Sequence, residues 1–202
     1  MSLWFFICAG CFFIAIFLHF KSVEHMKLLG KYGKERGMKI GEIYGAISGT
    51  MELLLLIGLW ASPQPTFVIP ISQELAISIF DVSIPLLHLV ISLPLTAVGA
   101  WFGIEGARTT GWEAAETHSL PKKIITRGVY SIVRHPQYFG WGLVQVGMSI
   151  LFRAWYSMLF TPVLLVLIYL ISKKEEDELI KEFGKEYEDY QKKVPMLIPG
   201  LK

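Results

Sequence analysis

Two cysteines in 202 residues are too few for a disulfide-stapled framework. Cys8 and Cys11 both fall in the first apolar run, and no second pair or nearby histidine follows their C-x-x-C spacing. They therefore read as inert, lipid-facing thiols and not as a redox or metal centre. Charge is also scarce. Asp, Glu, Lys and Arg make up 18% of the chain and the formal net charge is +2, too small to argue for a nucleic-acid partner, and the basic residues sit in loops and flanks instead of on one face. The chain lacks a glycine-rich strand-to-helix fingerprint, which excludes a dinucleotide-type fold. It also lacks the internal repeat expected of a transporter, for which Glu52 and His88 alone make a thin pathway. His118 with Glu113 and Glu116 has no zinc-like spacing, so no metal is expected.

What the chain has in abundance is apolar surface. A 53% hydrophobic content lies outside the soluble norm and predicts an all-α, polytopic integral membrane protein of one domain over 1–202, with membrane helices in 1–104 and a functional half in 105–202. Leu3 to Phe20 is a first span, carrying Trp4 near one end and His19 near the other. The run has no basic leader and no clear small-residue cleavage site, which favours an uncleaved helix over a signal peptide. Lys21, Lys27, Lys31, Lys34, Arg36 and Lys39 then crowd the first loop, which the positive-inside rule makes cytoplasmic.

Ile43 to Trp60 reads as a second span with Gly45, Ser48 and Gly49 as packing positions, and Glu52 as its anomaly. A carboxyl within a span faces a partner or a wet cavity, so Glu52 is either functional or a hydrogen-bonded structural residue. Residues 67–81 are interrupted by Pro70, Gln73, Glu74 and Asp81 and read as outer-surface or re-entrant. Val82 to Ile104 is a third span, in which His88 pairs with Glu52, lines a substrate path or, as the commoner outcome for a lone histidine, bonds a carbonyl freed near Pro85. Pro136 to Phe152 and Ala154 to Ile171 complete five spans, with the N-terminus out and the C-terminus in. From Glu175 to Lys193, apolar residues recur at three- and four-residue steps. That pattern is an amphipathic cytoplasmic helix, interrupted at Gly184 and folded back as a lid over the polar chain around His135.

The polar stretch from Thr126 to Tyr138 leads directly into the apolar hairpin. Pro136, with no amide hydrogen and a fixed φ, suits the first position of a helix and makes His135 its cap. The helix mouth with Arg134 beside it would hold an anion such as a carboxylate. The bland alternative has Arg134 and His135 facing headgroups, with Tyr138 in an interfacial aromatic belt.

The blocks G-V-Y-x-x-x-R-H-P-x-Y-x-G, a hydrophobic hairpin, E-E and E-F-G-x-E-Y-x-x-Y, from about Lys122 to Pro195, resemble the isoprenylcysteine carboxyl methyltransferase family and its phospholipid methyltransferase relatives. The resemblance implies an S-adenosyl-L-methionine-dependent membrane methyltransferase. Donor contacts are implied at Lys122, Lys123, Ile124, Ile125, Tyr130, His135, Pro136, Gln137 and Tyr138. Near the acceptor the resemblance implies Glu175, and the chemistry adds Glu176 as a proton acceptor and Arg134 as a holder of the donor's carboxylate. The implied acceptor is lipophilic or prenylated and is methylated on a carboxyl, with an aminophospholipid amine or a small thiol as alternatives. Isoprenylcysteine methyltransferases carry an arginine four residues before the glutamate that matches Glu175, whereas this chain has Ile171 there. Membrane lipids are the expected surroundings, a cytoplasm-facing site and a prokaryotic cell membrane the expected location. A membrane structural subunit or a transporter is the non-enzyme alternative.

Overall fold

A computed structural model describes residues 3–69, 76–79, 82–112, 115 and 123–201. The described fold is all-α apart from one small hairpin. Helix α1 (Leu3–Ser22) and helix α3 (Lys34–Ala61) run antiparallel, joined through the short α2 (His25–Tyr32). Their pairing is close because small residues line it: a Cβ on Gly58 would lie 2.8 Å from Cys8 Sγ, and one on Gly41 3.3 Å from the Ser22 carbonyl oxygen.

The second antiparallel pair is α4 (Leu86–Thr110) with α5 (Pro136–Leu151). Backbones here nearly touch, since a Cβ on Gly99 would lie 2.7 Å from the Gly140 carbonyl oxygen and 2.9 Å from Leu143 Cβ. Between the pairs runs α6 (Trp155–Phe183), followed by α7 (Lys185–Lys193). Phe5, Phe12 and Ile16 of α1, Leu56 and Leu59 of α3, and Phe160, Leu164, Ile168 and Ile171 of α6 form one buried core. Phe12 meets Phe160 edge-on at 5.7 Å. Large apolar side chains point outward as well, Leu54, Val90 and Val166 among them. Such an exposed apolar belt suits hydrocarbon, not water.

Among the described residues four helices, α1, α3, α4 and α6, are long and apolar enough to cross a membrane. The fifth expected span, over Pro136 to Phe152, is not one of them. Helix α5 has 16 residues, about 24 Å at 1.5 Å per residue, short of the roughly 30 Å of hydrocarbon. Two boundaries also move. Val82–Pro85 is not the start of a span but a strand, β2, paired antiparallel with β1 (Ala76–Ile79), and the helix begins at Leu86 after Pro85. The helix of the last span does not stop near Ile171 but continues to Phe183, so the charged stretch begins on the same helix. Gly184, at φ +55°, then turns the chain into α7. Pro70, Gln73, Glu74 and Asp81 lie outside the described residues. Residues 65–67 lie beside the α5–α6 turn, with Trp155 N–H donating to Pro65 O at 3.1 Å and Phe67 N–H to Arg153 O at 3.0 Å.

His88 pairs with neither Glu52 nor a carbonyl near Pro85. Its Nδ1 meets Ile150 O at 2.9 Å and its Nε2 accepts from Ile69 N–H at 3.1 Å, so it ties the end of α5 to the chain ahead of the hairpin.

Gln145, fully buried on α5, accepts from Trp60 Nε1 at 2.7 Å and donates to Ser157 O at 2.9 Å, joining α3, α5 and α6. Gln145→Leu leaves the Trp60 donor unpaired in an apolar seam, at about 1–3 kcal/mol for the stranded group. The expected outcome is a thermal midpoint lowered by several degrees in detergent micelles. An unchanged midpoint removes Gln145 as a structural tie.

Candidate functional site

A residue before proline is held extended, and His135, at φ −120°, precedes Pro136 in the first position of α5. Its side chain does not cap the helix as expected. The extended backbone instead pairs with the chain's own tail: Arg134 N–H donates to Pro195 O at 2.9 Å and His135 N–H to Met196 O at 3.1 Å. Tyr190 closes the same strap by donating to the Tyr130 carbonyl at 2.5 Å. The tail therefore packs over the 130–135 turn.

Under the strap lies a cluster of ionisable groups drawn from four helices. Arg134 grips Glu176 with two parallel bonds, Nε to Oε1 at 2.6 Å and Nη2 to Oε2 at 3.1 Å, and also donates to the carbonyls of Gln191 and Val194. Gln191 Nε2 completes the shell of Glu176 at 2.7 Å. His135 sits between two carboxylates, with Nδ1 3.3 Å from Glu175 Oε2 and Nε2 3.2 Å from Glu176 Oε1. Its ring lies nearly parallel to that of Tyr138, 5.7 Å away.

Tyr138 donates its hydroxyl hydrogen to Glu175 Oε1. Its oxygen also lies 2.9 Å from His19 Nε2, whose Nδ1 is 2.8 Å from Glu52 Oε1. Burial alone would push the His135 pKa down, but its hydrogen bonds and attraction to Glu175 and Glu176 outweigh that and raise it. Burial holds the Tyr130 hydroxyl above its ordinary value, so it stays a neutral partner to the Gln137 amide at 3.3 Å.

The candidate residues from the sequence meet here unevenly. His135, Pro136, Gln137, Tyr138 and Tyr130 surround the mouth of α5, with Glu175 and Glu176 opposite. Ile124 and Ile125 are half-buried in chain that is neither helix nor strand, and Lys123 is exposed nearby in sequence. Lys122 lies outside the described residues, as do Glu113, Glu116 and His118. Arg134 is not free to hold a ligand carboxylate, because its guanidinium is committed to Glu176 and to the tail. Glu176 is correspondingly shut in, whereas Glu175 keeps about a fifth of its side chain open, at 22% against 5%. Ile171 is buried in the apolar core. Among the described residues, no three His, Cys, Asp or Glu side chains are arranged to hold a metal ion.

His19 was not among the candidates, although it is fully buried at the centre of the cluster. The signal for it is periodicity. Phe5, Cys8, Phe12, Ala15, Ile16 and His19 mark the buried face of α1, so a histidine continues the core-facing stripe. Glu52 continues the small-residue stripe of Gly45 and Ser48 on α3 in the same way.

Residues 87–186 match the model of the phospholipid methyltransferase family. The chain is 35% identical over 112 residues to a methanethiol S-methyltransferase of Crocosphaera subtropica, covering 55% of this chain and 43% of that protein. It is 36% identical over 98 residues to the protein-S-isoprenylcysteine O-methyltransferase of Mus musculus, covering 45% and 31%. With methanethiol S-methyltransferase 1 of Bradyrhizobium diazoefficiens the identity is 30% over 151 residues, covering 74% and 51%. These relatives are named as methyltransferases, in keeping with the superfamily that the sequence blocks resemble, and the chain spans about a third to a half of their own length.

Glu176→Ala leaves the Arg134 charge buried without its partner, a loss of about 3–5 kcal/mol for a pair of this kind. The expected result is release of the tail, read as faster proteolysis after residue 184 than in the parent protein. Equal cleavage rates argue that the ion pair does not hold the strap. The raised His135 pKa gives a second expectation. Its charge stabilises the fold fully below the ordinary histidine value of about 6.5, and that contribution is lost as pH rises through the raised folded value. The parent's midpoint should fall across that window, and His135→Gln should flatten the fall.

Proposed function

We infer, for a chain whose residues 87–186 carry the phospholipid methyltransferase pattern, integral-membrane methyl transfer from S-adenosylmethionine to a lipophilic acceptor. One observation carries this reading: the α5 mouth at His135–Tyr138 closes directly onto Glu175, so the residues implied for donor and acceptor form one hydrogen-bonded cluster. S-adenosylmethionine, when bound, supplies a methyl group on a sulfonium that leaves as a neutral thioether.

The donor set suits that molecule. Tyr130 and Tyr138 offer aromatic faces for adenine or for a cation. The Ile124 and Ile125 amides are not consumed by a helix or strand ladder, which leaves them for the polar edge of a base. Glu175 provides a carboxylate about a fifth open, opposite the positive centre. The Ser172 hydroxyl, one turn before Glu175, is buried without a partner among the described residues and is a further donor in reach of a ligand. Arg134 acts as a positioning residue, locking Glu176 and the tail so that His135 and Glu175 face the same space. Aligning the partners and excluding water then supplies most of the acceleration, since the leaving group is already activated.

For the acceptor, the relatives' names carry two chemistries, a prenylcysteine carboxyl and a thiol. Carboxyl O-methylation of a lipophilic or prenylated acid follows from the sequence blocks. A specific observation favours the thiol: Glu52, Glu175 and Glu176 converge here, the nearby arginine is occupied, and Ile171 is apolar, so an acceptor carboxylate would meet like charge. The basic first loop supports a cytoplasm-facing site, and a prokaryotic cell membrane remains the proposed location.

The test is binding and transfer by purified protein in lipid. S-adenosylmethionine should bind by calorimetry, and labelled methyl should reach a lipophilic acceptor. His135→Ala should weaken donor binding several-fold in protein that keeps its helical circular dichroism. No donor binding by the parent protein rules out the methyltransferase reading and leaves a structural or transport role.

A further inference from the structure

The His19–Glu52 pair lies outside residues 87–186, on helices whose sequence blocks carry none of the resemblance, yet it is joined to Glu175 through a single hydroxyl. Tyr138 has one hydroxyl hydrogen and two partners, so the chain Glu52, His19, Tyr138, Glu175 can point in only two directions. In the observed direction Tyr138 donates to Glu175, which requires His19 Nε2 to carry a hydrogen. His19 Nδ1 then shares one further proton with Glu52. In the reverse direction Nε2 has lost its hydrogen and accepts from Tyr138, while His19 Nδ1–H donates to the Glu52 carboxylate. The two states differ by one proton. His19 itself is shut in at 2%, while the carboxylates at the two ends of the chain, Glu52 and Glu175, keep 20% and 22% of their side chains open. A chain closed in the middle and open at both ends conducts a proton from one opening to the other.

We propose that His19 and Glu52 are a proton-receiving pair for the acceptor, acting through Tyr138 and Glu175, and that the acceptor is a lipophilic thiol. This rests on the methyltransferase reading above. The acceptor S–H gives its proton to Glu175; Glu175 passes it to the Tyr138 oxygen as Tyr138 hands its own hydrogen to His19 Nε2, and the chain arrives in the direction observed. The thiolate sulfur forms its bond to the methyl carbon as the bond from that carbon to the donor sulfur breaks, its electron pair staying with that sulfur. The surplus proton leaves from Glu52. A thiol suits the site better than the alternatives, because it reaches Glu175 uncharged. An ammonium would need desolvation, and a carboxylate has no proton to give.

On the other side of Glu175, His135 has both ring nitrogens engaged, by Glu175 and by Glu176, and Arg134 and Gln191 occupy Glu176, so the His19 side serves as the outlet. His19 and Glu52 are positioning residues here, since neither touches the reacting atoms.

The experiment compares octanethiol with octanoate, matched in chain length, using parent protein, Glu52→Gln and His19→Gln in lipid nanodiscs. Without donor, parent protein should bind octanethiol partly as thiolate, read by its ultraviolet absorbance, and both variants should bind it as the neutral thiol. With donor, each variant should lose octanethiol methylation by roughly 10²-fold at neutral pH, a loss that shrinks as pH approaches the thiol's own ionisation. S-adenosylmethionine affinity should stay within about twofold of the parent. If one variant fails to fold, the other carries the same three readouts.

A pH-independent loss, unchanged thiolate absorbance in the variants, or parent methylation of octanoate alone overturns the relay while leaving the methyltransferase intact. A parent protein that binds donor and methylates neither probe overturns the thiol assignment. Absence of donor binding overturns the parent reading and the relay together.

Discussion

Two adjacent carboxylates, Glu175 and Glu176, lie where water is largely excluded, and the rest of the fold is arranged to satisfy them. An uncompensated charge in such a place costs several kcal/mol, so each oxygen must find partners from elsewhere in the chain. Glu176 finds them in Arg134, His135 and Gln191; Glu175 finds them in His135 and Tyr138, with His19 beyond. Because those partners sit on α1, on the α5 mouth and on the tail, none of these elements can shift alone without stranding a buried charge. Adjacent residues on a helix point about 100° apart, which is why the two carboxylates recruit opposite sides: one clasps the tail, the other opens toward the N-terminal helices.

The two helix pairs and the seam between them divide the work. Within α1–α3 and α4–α5, small residues bring backbones close and packing is dense. Across the seam, polar ties run through the apolar packing: Trp60 with Gln145, His19 with Tyr138, and Met26 N–H with Glu178 at 2.7 Å. Glu24, held below the usual carboxylate range against its burial by Lys21 and Lys27, adds a link to Lys174 at 3.5 Å. Polar ties of this kind fix the register of the two pairs.

Much of this was readable in the chain itself. Apolar runs of span length, the proline that opens α5 after His135, the glycine that breaks the tail helix at Gly184, and the ordered blocks from about Lys122 to Pro195 are local signals set by backbone geometry and by transfer of side chains out of water. They determined the all-α membrane class, the location of the polar mouth and the superfamily to which its residues point. Tertiary structure alone decided who partners whom. His19 and Tyr138 are 119 positions apart, Arg134 and Glu176 42 apart, and neither distance leaves a trace in periodicity or spacing. Arg134 looks like a free anion holder in sequence because its compensating carboxylate arrives on another helix. His19 looks like an interfacial residue because the face it occupies becomes a core only when α6 packs on it. Length and hydropathy are properties of a segment, and a segment carries them anywhere; the neutralisation of a buried charge is a property of the space between segments, which exists only once they have packed.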